Sequence, residues 1–284
     1  MIKWLKEVID LFKDTYIEWR QNKPELMGAA LAFYIIFSLG PILVITIWFL
    51  GLIFGEQAAE GEIVQQIQHI VGQKLAEGMQ EIITRAITPP TKHIATLISI
   101  PLVMFGATMI FFQLQNALHF IWEVEHKQHR GITGIMIEYL LSFPKVLIIG
   151  TIFLLLIIKS SALTVLGVFV HEHVPLAGYI IPKLDFLLTL CIITILFAMI
   201  YHFLPRTKIH WSNIWIGAGV TSLLFTIGQF IIGLYFSKTD IDSAYGAIGS
   251  FTILFIWIFY SSLIFLFGAV FTKIYSRKHG SFHD

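Results

Sequence analysis

The sequence predicts an all-α, polytopic membrane protein with six transmembrane helices, an N-terminal amphipathic helix and an external amphipathic helical segment. Three observations predict this class. Of the 284 residues, 56% are hydrophobic and only 13% are charged, whereas a soluble domain carries about 25% charged residues. The mean hydropathy is +0.78. Several apolar segments are long enough to cross a bilayer, for which an α-helix needs about 20 residues.

Residues 1–25 predict a cytoplasmic amphipathic helix rather than a cleavable signal. The segment has no continuous apolar core, and Lys, Arg, Asp and Glu are distributed along it. Its apolar residues recur at three- and four-residue spacing, at Ile2, Leu5, Ile9, Phe12, Tyr16 and Trp19. Such a helix either lies in the headgroup region of an anionic leaflet or packs on cytoplasmic loops of its own protein. The sequence favours neither alternative.

A transmembrane domain is predicted over residues 26–275, followed by a cytoplasmic tail at 276–284. The long polar segment at 55–93 has apolar residues at helical spacing, which predicts one or two amphipathic helices on the outer surface. These helices either cap a cavity or cover the end of the bundle. The predicted spans cover approximately residues 28–54, 94–120, 134–158, 184–204, 211–236 and 248–271.

Six spans place both termini on the same side of the membrane. Of the 19 Lys and Arg residues, 12 fall in the termini and loops on that side, and 6 fall on the other. Because positive residues concentrate on the cytoplasmic side, both termini are predicted to be cytoplasmic.

The second span carries side-chain amides within an apolar helix. Gln113 and Asn116 are three residues apart and share a stripe with Gly106. Since a bilayer offers no water to amides, we expect this face to look into the protein. The two amides either line a polar cavity or join helices through hydrogen bonds. Gln229, in the fifth span, is a candidate for the same environment.

Lys145 follows Pro144 inside the third span. A charge at this depth costs about 2.5–3.5 kcal/mol on insertion scales, so the ammonium must be paired, hydrated or used. It either contacts an anionic substrate group or pairs with Glu138, seven residues earlier on the same face.

Four further residues are candidates at the ends of spans. Tyr245 lies in a glycine-containing turn that either presents backbone amides to an anion or is a plain tight loop. Asp185, near the outer end of the fourth span, is either a helix-end residue or a proton carrier. His202 and Arg206, at the inner end of that span, are candidates for contact with lipid phosphates.

No catalytic residue, metal site or cofactor is predicted. The single cysteine, Cys191, excludes an internal disulfide framework, and the eleven histidines match no recognised ligand spacing. The G-x-S-x-G, Walker A and H-E-x-x-H motifs are absent from the sequence. A net charge of +1 gives no general attraction to nucleic acid. We therefore expect a protein that is not an enzyme.

Several short motifs occur in a characteristic order along the chain. The first span reads GAALAFYIIFSLGP from Gly28, and Trp122 follows the second span. The remaining motifs are Asn116 with Ile121, Pro144, FLP at 203–205, Gly217-Ala218, Tyr235, YGAIG at 245–249, Trp257 and Phe267-Gly268-Ala269. Together they resemble the YihY/BrkB family of bacterial inner-membrane proteins, formerly labelled ribonuclease BN.

The resemblance implies a six-helix protein of the bacterial inner membrane that is linked to serum resistance and envelope lipid handling. Lys145 departs from the apolar residue found in many members, so a role for it would be limited to a subgroup. The leading hypothesis is a transporter or lipid-handling protein whose partners are membrane lipids and an anionic or lipid-like substrate. A homo-oligomer fits this class. The alternatives are a non-transporting envelope scaffold and, ranked last, a ribonuclease.

Overall fold

The computed structural model describes residues 2–38, 92–124, 177–205, 209–237 and 247–279. Every regular element within these ranges is an α-helix. The predicted third span and nearly all of the external segment at 55–93 lie outside the described residues. The first span is described only as far as residue 38.

Six helices make up the described chain. Three of them contain segments long and apolar enough to cross a membrane, at Pro182–Phe203, Trp211–Leu234 and Leu254–Lys278. The all-helical membrane character is thereby confirmed, while the count of six spans stays a prediction. The helices are α1 (Ile2–Gln21), α2 (Pro24–Ser38), α3 (Lys92–Ile121), α4 (Ala177–Phe203), α5 (Trp211–Ser237) and α6 (Ala247–Lys278).

Helix α6 continues seven residues beyond the predicted end of the sixth span, through Lys278. The span predicted from hydropathy ends before the helix does, because the last turns of α6 contain Thr272, Lys273 and Ser276. All three are buried by protein. Polar groups whose neighbours are protein rather than lipid can satisfy their hydrogen bonds there, so the helix extends.

Helix α1 ends in a left-handed residue. Lys23 has φ = 48°, and its N–H donates to the carbonyl of Arg20 at 3.3 Å. The next residue, Pro24, begins α2, where the missing N–H of proline leaves no helical hydrogen bond unmade.

The described residues belong to two compact units. The first unit holds α1, the end of α3 from Gln115, all of α4, α5 as far as Thr226, and α6 from Ile264. The second unit holds α2, the earlier parts of α3 and α6, and the remainder of α5.

The first unit is built around the C-terminal half of α6. Two glycines let side chains of a facing helix approach the backbone: a Cβ atom on Gly217 would overlap the side chain of Thr272, and one on Gly268 would overlap that of Thr221. Small residues at helix crossings allow this close approach in membrane proteins. The aromatic ring of Tyr201 also packs on this half of α6, with its centroid 5.2 Å from that of Phe265.

Glycines also allow close helix packing in the second unit. A Cβ on Gly28 would lie 3.0 Å from the side chain of Leu263, and one on Gly106 would lie 2.6 Å from that of Ser38. Ala32 is fully buried. The small residues at the start of the first span therefore mediate close helix packing.

Candidate functional site

The ammonium of Lys273 is the most deeply buried charge in the described chain, with 2% of the side chain exposed. Its Nζ donates a hydrogen bond to Oε1 of Glu123 at 2.9 Å. Oε1 of Glu18 lies 2.6 Å from the same nitrogen without regular hydrogen-bond geometry, so this contact is an electrostatic pairing. Lys273 thus joins α6 to α1 and to the end of α3.

Two more cations follow within the last turns of α6. Nη2 of Arg277 donates to Oε2 of Glu123 at 3.0 Å, and Nζ of Lys278 donates to Oδ2 of Asp14 at 2.9 Å. We call these six residues the charge cluster: Asp14, Glu18, Glu123, Lys273, Arg277 and Lys278. Its three positive and three negative charges cancel, as burial of an ammonium requires.

Lys273 is shielded from solvent, whereas Glu123 and Arg277, at the edge of the charge cluster, are exposed. Glu123 is 65% exposed and Arg277 is 40% exposed. The hydrogen bond from Lys273 lowers the pKa of Glu123 below its ordinary value of 4.5, and the charges of Lys273 and Arg277 add to this effect. Partial burial opposes it. The carboxylate therefore stays ionised at neutral pH.

Glu123 occupies an unusual backbone position. Its φ is 56°, and the N–H of Val124 donates to His119 while that of Glu123 donates to Phe120. This pair of bonds is the Schellman arrangement, in which the left-handed residue is usually glycine. A glutamate here carries about 1–2 kcal/mol of steric penalty, so the bonds of its carboxylate to α6 hold it in place.

Two aromatic donors bind consecutive turns of α6. The indole N–H of Trp122 donates to the carbonyl of Ala269 at 2.9 Å. The hydroxyl of Tyr201 donates to the carbonyl of Phe265 at 2.8 Å. These bonds satisfy the only polar atom of each buried ring and fix α3 and α4 to α6.

Other buried polar side chains pair between helices. Nδ2 of Asn213 donates to Oγ of Ser276 at 3.2 Å, which joins α5 to α6. The hydroxyls of Thr194 and Ser222 lie 2.7 Å apart and join α4 to α5. Each pair removes a polar group from contact with hydrocarbon.

Within the described residues, helix α1 packs on α6 of its own protein, and the predicted packing on cytoplasmic loops stays a prediction. The ring of Phe12 lies 5.3 Å from that of Phe271 and 6.4 Å from that of Phe267. The ring of Trp19 meets Phe267 edge-on at 5.9 Å. Leu11 is buried on the same side of α1.

The amides predicted in α3 are placed unevenly. Gln113 and Asn116 are half-buried, while the intervening Gln115 is 9% exposed. The stripe expected to face the protein begins with the buried Gly106, but Phe120, which continues it seven residues after Gln113, is 58% exposed. A cavity-lining role for Gln113 and Asn116 stays a prediction.

The other candidate residues are dispersed. Gln229 and Asp185 are half-buried, and the backbone carbonyl of Asp185 accepts a hydrogen bond from Thr189 at 2.7 Å. The ring of His202 is 4.0 Å from that of Trp211, and its Nδ1 is buried with no hydrogen-bond partner among the residues that the structure describes. Lys145, Arg206 and Tyr245 lie outside the described residues.

Sequence reasoning assigns no role to Lys273 and counts it among the cytoplasmic charges of the C-terminal tail. A signal is present in the spacing of small and polar residues along α6. Ser262, Ala269, Thr272 and Ser276 are spaced by seven, three and four residues, so they share one face of α6 that extends beyond Lys273, and all four are buried. A span that keeps a small-residue face beyond its apolar run is expected to remain packed against protein.

These features define a polytopic α-helical membrane protein in which a balanced charge cluster joins α6, the last of the described helices, to α1 and to the end of α3. The profile of the family described as virulence factor BrkB matches residues 15–283, and the chain belongs to this family. The predicted resemblance is thereby confirmed.

The relatives of this chain are UPF0761 membrane proteins. One from Alteromonas mediterranea is 23% identical over 269 residues, covering 93% of this chain and 86% of the relative. One from Aeromonas salmonicida is 24% identical, covering 88% and 83%. One from Vibrio cholerae is 26% identical over 179 residues, covering 62% of this chain and 57% of the relative. No solved structure matches the chain.

Proposed function

We propose that this protein binds and translocates, or otherwise handles, an anionic or amphiphilic molecule in the bacterial inner membrane. It is a six-span protein with both termini in the cytoplasm. It works without a catalytic centre, metal or cofactor, and its partners are membrane lipids, the substrate and a second copy of the chain. Nucleic acid is not a partner, and ribonuclease activity is not part of the proposal.

The observation that carries the proposal is the group of amides in α3. This helix has 30 residues, which at 1.5 Å per residue exceeds the thickness of the hydrocarbon core. Gln113, Gln115 and Asn116 lie within four residues of one another in its apolar sequence. Three amides on different sides of one helix turn are more than one contact with a neighbouring helix requires. The other amides would line a polar path for a substrate.

Three other residues are assigned to the same substrate path by this proposal: Lys145, Gln229 and Tyr245. Asp185 stands at the outer end of the path. His202 and Arg206 contact lipid phosphates at the inner end, where the exposed ring of Trp211 beside His202 is typical of a membrane interface.

The test is flux through purified protein in proteoliposomes, with fluorescent anionic lipids and small anions as probes. Gln115→Leu and Asn116→Leu should lower flux or lipid scrambling, while Leu223→Ile, at an exposed position of α5, should leave it unchanged. Flux no greater than in empty vesicles, over the whole panel, would refute transport.

A second candidate function is a non-transporting membrane scaffold. The observation that favours it is the tight packing of the first unit, where Gly217 and Gly268 have no room for a methyl group. A scaffold predicts no flux and the same unfolding temperature with and without any candidate substrate. A substrate-dependent rise in unfolding temperature would instead support the transport proposal.

A further inference from the structure

Helix α1 presents an unused apolar stripe beside the face that packs on α6. At about 100° per residue, Leu11 and Thr15 share the buried side of the helix. Ile9, Phe12 and Tyr16 fall on the adjoining side, and all three are exposed. Phe12 lies at the border, since its ring also meets Phe271.

The charges of α1 are separated around the same helix. The basic residues Lys6, Lys13 and Arg20 lie next to the apolar stripe, and all three are exposed. The acidic residues lie on the opposite flank, at Glu7, Asp10, Asp14 and Glu18. Two of the acids are committed to Lys278 and Lys273 in the charge cluster. The three basic residues have no ion-pair partner within the described part of the chain.

The position of α1 along α6 indicates what covers the stripe. Phe12 and Trp19 contact Phe267, inside the apolar segment Leu254–Lys278. That segment ends in three cations, Lys273, Arg277 and Lys278, as expected where a span leaves the hydrocarbon. If this segment spans the bilayer, the stripe of α1 falls near the boundary between acyl chains and headgroups.

We propose that the exposed side of α1 docks on the surface of an anionic leaflet. Ile9, Phe12 and Tyr16 enter the acyl boundary, and Lys6, Lys13 and Arg20 contact lipid phosphates. The acidic flank faces away from the lipid, where it pairs with α6. This arrangement holds whether the protein transports or acts as a scaffold.

The bilayer fits this surface better than a soluble partner does. An aromatic and aliphatic stripe bordered on one side by Lys and Arg matches interfacial helices, which bind through buried apolar area and attraction to anionic lipids. Each cation near such a surface strengthens binding by about fivefold.

The experiment places a fluorescent label on the full-length protein in vesicles. In a Cys191→Ser background, Tyr16→Cys and the control Asp10→Cys are labelled with an environment-sensitive dye. Quenching is measured with spin-labelled phosphatidylglycerol, spin-labelled phosphatidylcholine and aqueous iodide. We expect the label at position 16 to be quenched by lipid, more by the anionic analogue, and the label at position 10 by iodide.

Charge variants then test the anionic preference. Lys13→Gln should reduce the preference for phosphatidylglycerol at position 16 by up to about fivefold, while Lys13→Arg should preserve it. Quenching of both labelled positions by iodide would overturn the proposal. A position 16 label shielded from lipid and iodide alike would overturn it too, and would indicate a protein partner on the stripe.

Discussion

Nζ of Lys273 donates to Oε1 of Glu123 at 2.9 Å, although 150 residues of chain separate them. The same nitrogen meets Glu18 of α1, so one buried ammonium connects three distant parts of the sequence. The two carboxylates are far more exposed than the ammonium they neutralise.

This asymmetry predicts unequal effects of removing each partner. The double variant Glu18→Gln, Glu123→Gln leaves the buried ammonium unpaired and should lower the free energy of unfolding by about 3–5 kcal/mol. Lys273→Met leaves Glu123 exposed and still bound by Arg277, and leaves one buried oxygen on the partly exposed Glu18, so it should cost about 1–3 kcal/mol. Thermal unfolding in detergent measures both losses.

The triple variant, which removes the ammonium and both carboxylates, should be more stable than the double variant because it leaves no buried charge unpaired. Equal losses of stability in all three variants would contradict this account.

A methyl group at Gly268 should destabilise the first unit. Its Cβ would overlap Thr221 and lie 2.6 Å from the hydroxyl of Tyr201. We expect Gly268→Ala to lower the free energy of unfolding by about 1–3 kcal/mol. Gly219→Ala is the matched control because a Cβ added there would meet no atom within 4 Å, and it should raise stability by up to about 1 kcal/mol. The comparison fails if the two variants unfold alike.

Removal of one aromatic hydroxyl should have a modest effect. Tyr201→Phe loses the bond to the carbonyl of Phe265 at 2.8 Å. Because Thr221 retains its own bond to Gly217, the loss should be about 0.5–1.5 kcal/mol. Tyr275→Phe is the control, since the Tyr275 hydroxyl makes no hydrogen bond within the described residues. Chemical denaturation of both variants checks the difference.

Acid should weaken the charge cluster. The pKa of Glu123 is lower in the folded protein than its ordinary value of 4.5, chiefly because Lys273 donates a hydrogen bond to it. The ionised Glu123 therefore contributes its full stabilisation above pH 4.5, the unfolded pKa. This stabilisation is lost as the pH falls through the lower pKa of the folded protein. The difference in unfolding temperature between the wild type and Glu123→Gln should be constant above pH 4.5 and should shrink as the pH falls from 4.5 through the lower, folded pKa. A constant difference across the range would contradict the assignment.

The two left-handed residues should respond oppositely to glycine. Lys23→Gly relieves an unfavourable backbone conformation at an exposed position and should raise the unfolding free energy by up to about 1 kcal/mol. Glu123→Gly gains the same relief but loses the contacts with Lys273 and Arg277, so it should be destabilising. Stabilisation by Glu123→Gly would show that the carboxylate contributes little.

The sequence predicts the positions of the described helices well because hydropathy and length carry that information. The fifth span is predicted at 211–236, and α5 runs from Trp211 to Ser237. The sixth is predicted to end at 271 because Lys273 interrupts the apolar run. Hydropathy treats every charge as facing water or lipid, whereas Lys273 faces two carboxylates.

The candidate site is less accessible to sequence reasoning. Amides in an apolar helix can be recognised by type, which is how Gln113 and Asn116 become candidates. Which amide is most buried depends on how the neighbouring helices are rotated about their axes. In the structure the most buried of the three is Gln115. The charge cluster could not be predicted, because Glu18 and Glu123 look like ordinary helix-end acids until α6 is placed beside them.

The separation of these partners along the chain also bears on biosynthesis. During synthesis Glu18 is made first and Glu123 later. Both acids lack the Lys273 cation until α6, the last of the described helices, has been made. A truncated product that ends before α6 would display unneutralised carboxylates and the uncovered inner side of α1. Helix α6 thus completes the charge balance of Glu18 and Glu123 and covers the inner side of α1.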